Sequence, residues 1–364
     1  MNDLQKLKIQ LMTEGIAVSE DARRQLTGLG QDKPLTLADY ASTSGISLRL
    51  GKDIWVNAPI AEYNPNFVKN PVAILESTEC GYVVRSGDLE VSAAPAQLPG
   101  YYGQKNEWGE PYTVYCHTHT DRARLSPIEG CANACRFCDM PFEYSYRLKS
   151  VERLIDAGHK AIADPLLPAK HMLVSGGTPK RSDQGYLHDV YRKVLSEFRD
   201  IAVDIMMAPV PGLLAIDELG RLGVNQLSIN IELFNIEFAR RYMPDKAEIG
   251  IEGYLDFIEK AVERLGKGRV RSLLLVGIEP VEDTLAAVEA LSERGCEPVL
   301  SPFRPSPSTP MRDREPPGLD LLCMVYEKSL EIAQKKDIKL GPRCIPCMHN
   351  TLTFPDGSDF YMSY

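Results

Sequence analysis

The chain has 364 residues, 44% of them hydrophobic and 25% charged, which is the composition of an ordinary folded protein and excludes a disordered, collagen-like or coiled-coil chain. Lysine and arginine total 41 against 50 aspartates and glutamates, and the net charge of −9 argues against nucleic acid or an anionic membrane as partner. Residues 1–6 lack an apolar signal core and no apolar run approaches the length of a membrane span, so the cytoplasm is the expected location.

Residues 1–115 carry one short helix at 4–14 and then β-like runs at 46–50, 72–76, 82–85 and 89–92, set between Gly, Pro and Asn. This predicts a small β-rich accessory domain, closed by a Gly- and Pro-containing linker at 99–111. Across residues 116–312, β-like and helix-like segments alternate, as expected for βα units around a parallel sheet. The expected strands are 122–128, 171–175, 201–206, 226–231, 272–277 and 298–303. The expected helices are 150–163, 186–198, 213–222, 235–242, 254–265, 284–294 and 319–335. Six units are fewer than the eight of a closed barrel, and an open doubly wound sheet fits the same alternation. In either fold the chemistry gathers at the C-terminal ends of the strands. Residues 313–364 form the last helix and a C-terminal extension.

Nine cysteines without an export signal argue against a disulfide framework, so the clustered ones call for metal or redox chemistry. Directly after the first of the six strands stand Cys131, Cys135 and Cys138, a Cys-x₃-Cys-x₂-Cys triad. Three thiolates on one short loop hold three irons of a [4Fe–4S] cluster and leave the fourth iron open to a substrate or cofactor. A structural zinc loop is the alternative, but zinc calls for four closed ligands. Beyond the last helix, Cys344 and Cys347 form a Cys-x₂-Cys pair. It reads as part of an auxiliary iron–sulfur cluster, as a redox dithiol or zinc pair, or as functionless. A cluster needs further ligands; Cys116 is the best third candidate, with His117, His119 and His349 as nitrogen donors. Cys80, Cys296 and Cys323 read as structural.

The triad, with the aromatic Phe137 just before its last cysteine, resembles the defining motif of the radical SAM superfamily. The resemblance implies an α/β fold, a partial (β/α)₆ barrel, in which the amino and carboxylate groups of S-adenosylmethionine chelate the open iron. It further implies that an electron from a flavodoxin- or ferredoxin-type donor cleaves the cofactor to a 5′-deoxyadenosyl radical that abstracts hydrogen from substrate. Ser175, Gly176, Gly177 and Thr178 resemble the family's Gly-Gly-Glu-type motif for the methionine amino group, with Thr178 in place of the acidic residue. Alone, the segment would be an ordinary Gly-Pro turn. Asn230 and Glu232 end the fourth expected strand, where the family places polar groups on the ribose and methionine; a helix N-cap beside a solvated glutamate is the plain alternative.

Gly277 and Ile278 resemble part of the Gly-x-Ile-x-Gly-x-x-Glu region that faces adenine. Arg240 and Arg241 read as a solvated helix face, with one of them a candidate for the cofactor carboxylate. The stretch around Arg304 resembles that of the biotin synthase-like subgroup, and Arg304 could take a substrate carboxylate in a bidentate fork or lie on the surface. The C-terminal extension is expected to bring Cys344 and Cys347 towards the barrel mouth, as in sulfur-inserting enzymes of the lipoyl type. The leading expectation is therefore a radical SAM enzyme acting on a small-molecule or carrier-protein-bound substrate, with sulfur insertion at an auxiliary cluster. A lyase, mutase or epimerase in cofactor or natural-product biosynthesis is the alternative, and a non-catalytic iron–sulfur or zinc protein is a third.

Overall fold

The computed structural model describes residues 1–28, 45–209, 215–342 and 344–355; the start of the helix expected at 213–222 lies outside them. The first helix, Asp3–Glu14, opens with a reciprocal cap: Gln5 N donates to the Asn2 side chain at 2.9 Å and Asn2 N donates to the Gln5 side chain at 3.0 Å. Its buried Leu7, Leu11 and Met12 cover a sheet built from six strands. These are β1 (Ala17–Val18), β2 (Gly45–Leu50), β3 (Ile54–Pro59), β4 (Ile74–Thr78), β5 (Gly81–Ser86) and β6 (Leu89–Pro95), in the order β1-β4-β5-β6-β2-β3. The run 54–59, not among the expected strands, pairs along its whole length with β2.

The second sheet follows from residue 116. A hairpin joins β7 (Cys116–His119) to β8 (Arg122–Leu125), after which β9 (Ile128–Glu129) and β10 (Arg147–Leu148) form a separate short ladder. The large sheet continues with β11 (His171–Val174), β12 (Ala202–Met206), β13 (Gln226–Ser228), β14 (Val270–Val276) and β15 (Glu297–Pro302). Its order is β15-β14-β13-β12-β11-β8-β7, with every pair parallel except the β7–β8 hairpin. This is an α/β fold with a curled half-barrel sheet.

Pleating divides the residues of each strand between two faces. Ala123, Leu125, Met172, Val174, Val203 and Ile205 join the core beneath the helices Val151–Ile162 and Gln184–Glu197. The alternate residues, among them Arg122, Arg124, Asp204, Gln226 and Arg271, face the concave side. Arg122 on β8 and Arg271 on β14 lie four strand spacings apart, about 19 Å in a flat ladder. Both charges nevertheless act on the Cys347 thiol, in keeping with the curl of the sheet.

The C-terminal segment returns along β15: Gly341 bridges Val299, and Leu352 N donates to Leu300 O at 2.8 Å. It is pinned to the N-terminal unit as well. Lys8 Nζ donates to Met348 O at 2.9 Å and Thr353 O at 2.6 Å, and Asn57 N donates to His349 O at 2.8 Å. No helix among the described residues is long and apolar enough to cross a membrane.

Candidate functional site

The loop after β9 carries Cys131, Cys135 and Cys138, and the segment after β11 holds it in place. Thr178 N donates to Cys131 Sγ at 3.1 Å and Asn133 N donates to the same sulfur at 3.4 Å. Ala132 N donates to Thr178 O at 3.0 Å, and the Asn133 amide reaches Thr178 Oγ1 at 3.2 Å. Gly177 makes this approach sterically possible, because a Cβ there would stand 1.9 Å from Gly130 O and 2.7 Å from Cys131 Cα. The Gly-Gly pair therefore serves first to bring the backbone amide of Thr178 onto a cysteine sulfur. Further along, Ala134 N donates to Asp245 Oδ2 at 2.7 Å and Arg136 N to Tyr242 O at 2.7 Å, tying the loop to the region after β13.

Cys135 lies in an apolar cluster with Leu233, Ala239, Met243, Ile278, Phe303 and Met311, against which Phe137 and Cys138 pack. Burial raises the Cys135 thiol, with the Glu232 charge adding to it, and burial beside Asp139 pushes Cys138 up to about 12. A coordinating metal supplies the positive charge that deprotonates such thiols. The donor set suits a [4Fe–4S] cluster with one open iron: three sulfurs on one loop, amide donors on Cys131, and an apolar wall that excludes water.

Beside this loop, Glu232, four residues past β13, has φ +67°, outside the region most side chains adopt. Backbone and side-chain contacts hold it there, among them Leu275 N donating to its carbonyl at 2.9 Å. The Glu232 N–H donates to Leu273 O at 2.8 Å, and Lys246 Nζ donates to Oε2 at 2.9 Å while also reaching Asn230 O at 2.7 Å. Burial alone would lower the Lys246 pKa, but Glu232 and Tyr254 hold it above the ordinary lysine value. Asn230 Oδ1 accepts from Ser228 Oγ at 3.0 Å and Leu273 N at 3.2 Å, so its side chain spaces β13 from β14. Lys246 was not singled out from the sequence, where the adjacent Arg240 and Arg241 drew attention. Both arginines are exposed on the helix Ile236–Tyr242, and the buried cation of this region is Lys246.

Gly277 has φ +102°, and a Cβ there would lie 2.8 Å from Pro317. Arg314 Nη2 donates to Gly277 O at 2.7 Å and to Ile278 O at 2.9 Å, fixing the turn at the end of β14. Next in line, Glu279 accepts from Phe234 N and Asn235 N, each at 2.8 Å, and burial lifts its carboxyl to about 7 against those amide donors. Ser175 Oγ contacts Met206 Sδ at 3.7 Å. The guanidinium of Arg304 is half-buried and committed within the protein, to Asn350 Oδ1 at 2.9 Å and Asn57 O at 3.3 Å.

The second cysteine pair differs from expectation in place and in company. Cys344 and Cys347 lie not at the mouth but near the starts of β8 and β14, where Arg122 Nη1 contacts the Cys347 sulfur and stands 3.8 Å from Cys344 Sγ. The hydrogen bond from Cys344, with Arg122 and Arg271 alongside, overcomes burial and brings the Cys347 thiol down to about 5. Arg271 itself donates to Asp204 Oδ2 at 3.2 Å and Gln226 Oε1 at 2.8 Å.

Cys116, expected as their third ligand, occupies the other face of the sheet. It is buried in the core against Tyr101, whose hydroxyl lies 3.6 Å from Cys116 Sγ, and burial pushes its thiol up to about 12. Strand alternation turns His117 and His119 inward instead. His349 stacks on Trp55 at 5.0 Å. Cys296 is buried in the core, Cys323 sits on the outer helix Leu319–Lys335, and Cys80 is exposed.

Residues 125–301, just under half of the chain, match the model of the radical SAM superfamily, and in this segment the chain is a radical SAM enzyme. The chain is similar to the bacteriochlorophyllide c C-7(1)-hydroxylase of Chlorobaculum limnaeum, with 23% identity over 172 residues. The match covers 44% of this chain and 43% of that enzyme, less than half the length of either. Among solved structures it is similar to a radical SAM methyltransferase from Sphaerobacter thermophilus, with 15% identity, 77% of this chain and 79% of that one covered, and a TM-score of 0.46. It is also similar to the [FeFe]-hydrogenase maturase HydG from Carboxydothermus hydrogenoformans, with 18% identity, coverage of 61% and 54%, and a TM-score of 0.44.

Proposed function

We propose that the chain holds a single [4Fe–4S] cluster on Cys131, Cys135 and Cys138, binds S-adenosylmethionine beside it, and abstracts hydrogen from a small molecule inside the half-barrel. When bound and reduced, by a flavodoxin- or ferredoxin-type donor, the cluster and cofactor supply the 5′-deoxyadenosyl radical. The chain's own residues bind, orient and exclude water. Thr178 N donates to the Cys131 sulfur, and Phe137, Ile278 and Phe303 keep the cysteine loop dry. Asn230, Glu232 and Lys246 make up the polar edge where the ribose and methionine portions would lie, with the backbone at Gly177, Gly277 and Ile278 open to close approach.

Between the two reactions considered, rearrangement or cleavage of the substrate as by a lyase, mutase or epimerase fits better than sulfur insertion. One observation carries this preference: an arginine lies on the pair Cys344 and Cys347, and Cys116 is on the opposite face of the sheet. A sulfide-donating cluster needs those thiolates for iron, and a guanidinium in contact with them competes for the same lone pairs. The reading is tested by incubating the reduced holoenzyme with S-adenosylmethionine and measuring 5′-deoxyadenosine together with acid-labile sulfide. The expected result is 5′-deoxyadenosine with no loss of sulfide; sulfide consumed in step with turnover would restore sulfur insertion.

A further inference from the structure

Arg124 differs from the other arginines of the concave face. It sits two residues beyond Arg122 on β8, about 7 Å closer to the cysteine loop. Its strand neighbours Ala123 and Leu125 are buried under the helices, so Arg124 faces inward, opposite His117 of β7. Arg122 has the Cys347 sulfur and Arg271 has Asp204 and Gln226. Arg124, by contrast, makes no ion pair among the described residues, and its Nε is buried without an acceptor. Asp139, next to Cys138, and Tyr102 sense its charge, but Asp139 lies beyond ion-pair reach.

A second unpartnered polar atom stands close by. His119 Nε2, on the same face of β7, is also buried without a hydrogen-bond partner. Burial, with His117 and Arg124 next in order, keeps the His119 ring neutral well below the usual histidine range, so it has one N–H to offer. A shielded cation with no counter-charge is costly to hold, and an incoming anion removes that cost through charge-assisted hydrogen bonds.

We propose that Arg124, seconded by His119, is the anion-binding site for the substrate, and that the molecule whose hydrogen is abstracted carries a carboxylate or a phosphate. The proposal rests on hydrogen abstraction inside the half-barrel and adds the substrate's chemical class to it. The position suits the task, since Arg124 lies between the floor made by Arg122 and Cys347 and the cysteine loop, where Asp139 and Tyr144 register its charge. Burial, with Arg122 close behind, lowers the Arg124 pKa, a strain that a bound anion relieves.

The test titrates the reconstituted holoenzyme with inorganic phosphate and, separately, with succinate, followed by calorimetry. It also maps by mass spectrometry whether either anion shields Arg124 from phenylglyoxal. One of the two anions is expected to bind and to protect Arg124, and the tighter of them tells phosphate from carboxylate. Arg124→Gln is expected to weaken that binding at least tenfold, while Arg124→Lys retains part of it. The protection measurement uses the native chain and so stands even where a variant fails to fold. Failure of both anions to protect Arg124, or equal binding by Arg124→Gln, would overturn the proposal. So would a parallel loss of S-adenosylmethionine affinity in Arg124→Gln, because the anion would then be the cofactor's own carboxylate. Formation of 5′-deoxyadenosine by the native enzyme is scored separately: its absence would sink hydrogen abstraction while leaving the anion titration readable.

Discussion

The two cysteine groups occupy opposite ends of one half-barrel and are surrounded by opposite kinds of chemistry. At the loop end, Cys131 accepts amide hydrogen bonds while Cys135 and Cys138 are walled by apolar side chains, with no arginine among the described residues on any of the three. At the strand-start end, Cys344 and Cys347 face Arg122 and Arg271. Amide donors and an apolar wall suit thiolates that a metal cluster will neutralise, whereas a guanidinium neutralises a thiolate by itself. Spacing alone makes both groups look like metal ligands, and the surroundings separate them.

The comparison can be broken most forcefully at the loop. Replacing any one of Cys131, Cys135 or Cys138 by Ala is expected to abolish the cluster's visible absorbance and all 5′-deoxyadenosine formation. Retention of both would remove the triad from the site. Gly177→Ala comes next, because its new Cβ meets Gly130 O at 1.9 Å and must push Thr178 N off the Cys131 sulfur. Overpacking of this kind costs about 1–3 kcal/mol; a lowered melting temperature together with a labile cluster is expected, and an unchanged protein would contradict the close approach.

At the opposite end, Arg122→Met should let the Cys347 thiol rise by about 1–3 pH units, the usual effect of one close opposite charge. The sign also fixes a pH dependence. A thiol depressed to about 5 in the folded chain contributes stability that is complete above the unfolded thiol value of about 8.5 and lost as pH falls through 5. Iodoacetamide reactivity and melting curves between those limits measure both; an identical pH profile in the variant would show that Arg122 does not hold the thiolate. Smaller still, Lys246→Met releases Glu232 and should weaken S-adenosylmethionine binding about tenfold, the worth of roughly one charged hydrogen bond, with iron content unchanged. The smallest effect is at the exposed pair of Lys267 and Asp337, where Lys267→Gln should leave melting and activity alike.

What the sequence made legible follows from how local each feature is. The triad could be read directly because its ligands and Phe137 lie within eight consecutive residues, and the βα alternation because each period is local. The role of Cys116 was not legible, since membership of one strand face or the other depends on a hairpin, β7–β8, of which only the second strand has a local signal. The position of Cys344 and Cys347 depended on how the last segment returns along β15, which no local pattern records. Lys246 escaped notice because its partner Glu232 lies 14 residues earlier and becomes a neighbour only through the turn after β13. Arg304 had the right chemistry for a carboxylate, but Asn350, brought close by the same returning segment, takes its donors.

The most direct measurement is iron and sulfide content after anaerobic reconstitution of the native chain and of a variant with Cys131, Cys135 and Cys138 all replaced by Ala. A single cluster at the loop requires about four irons in the native chain and essentially none in the variant. About four irons retained by the variant would place a second cluster on Cys344 and Cys347 and contradict the assignment of that pair to the arginines.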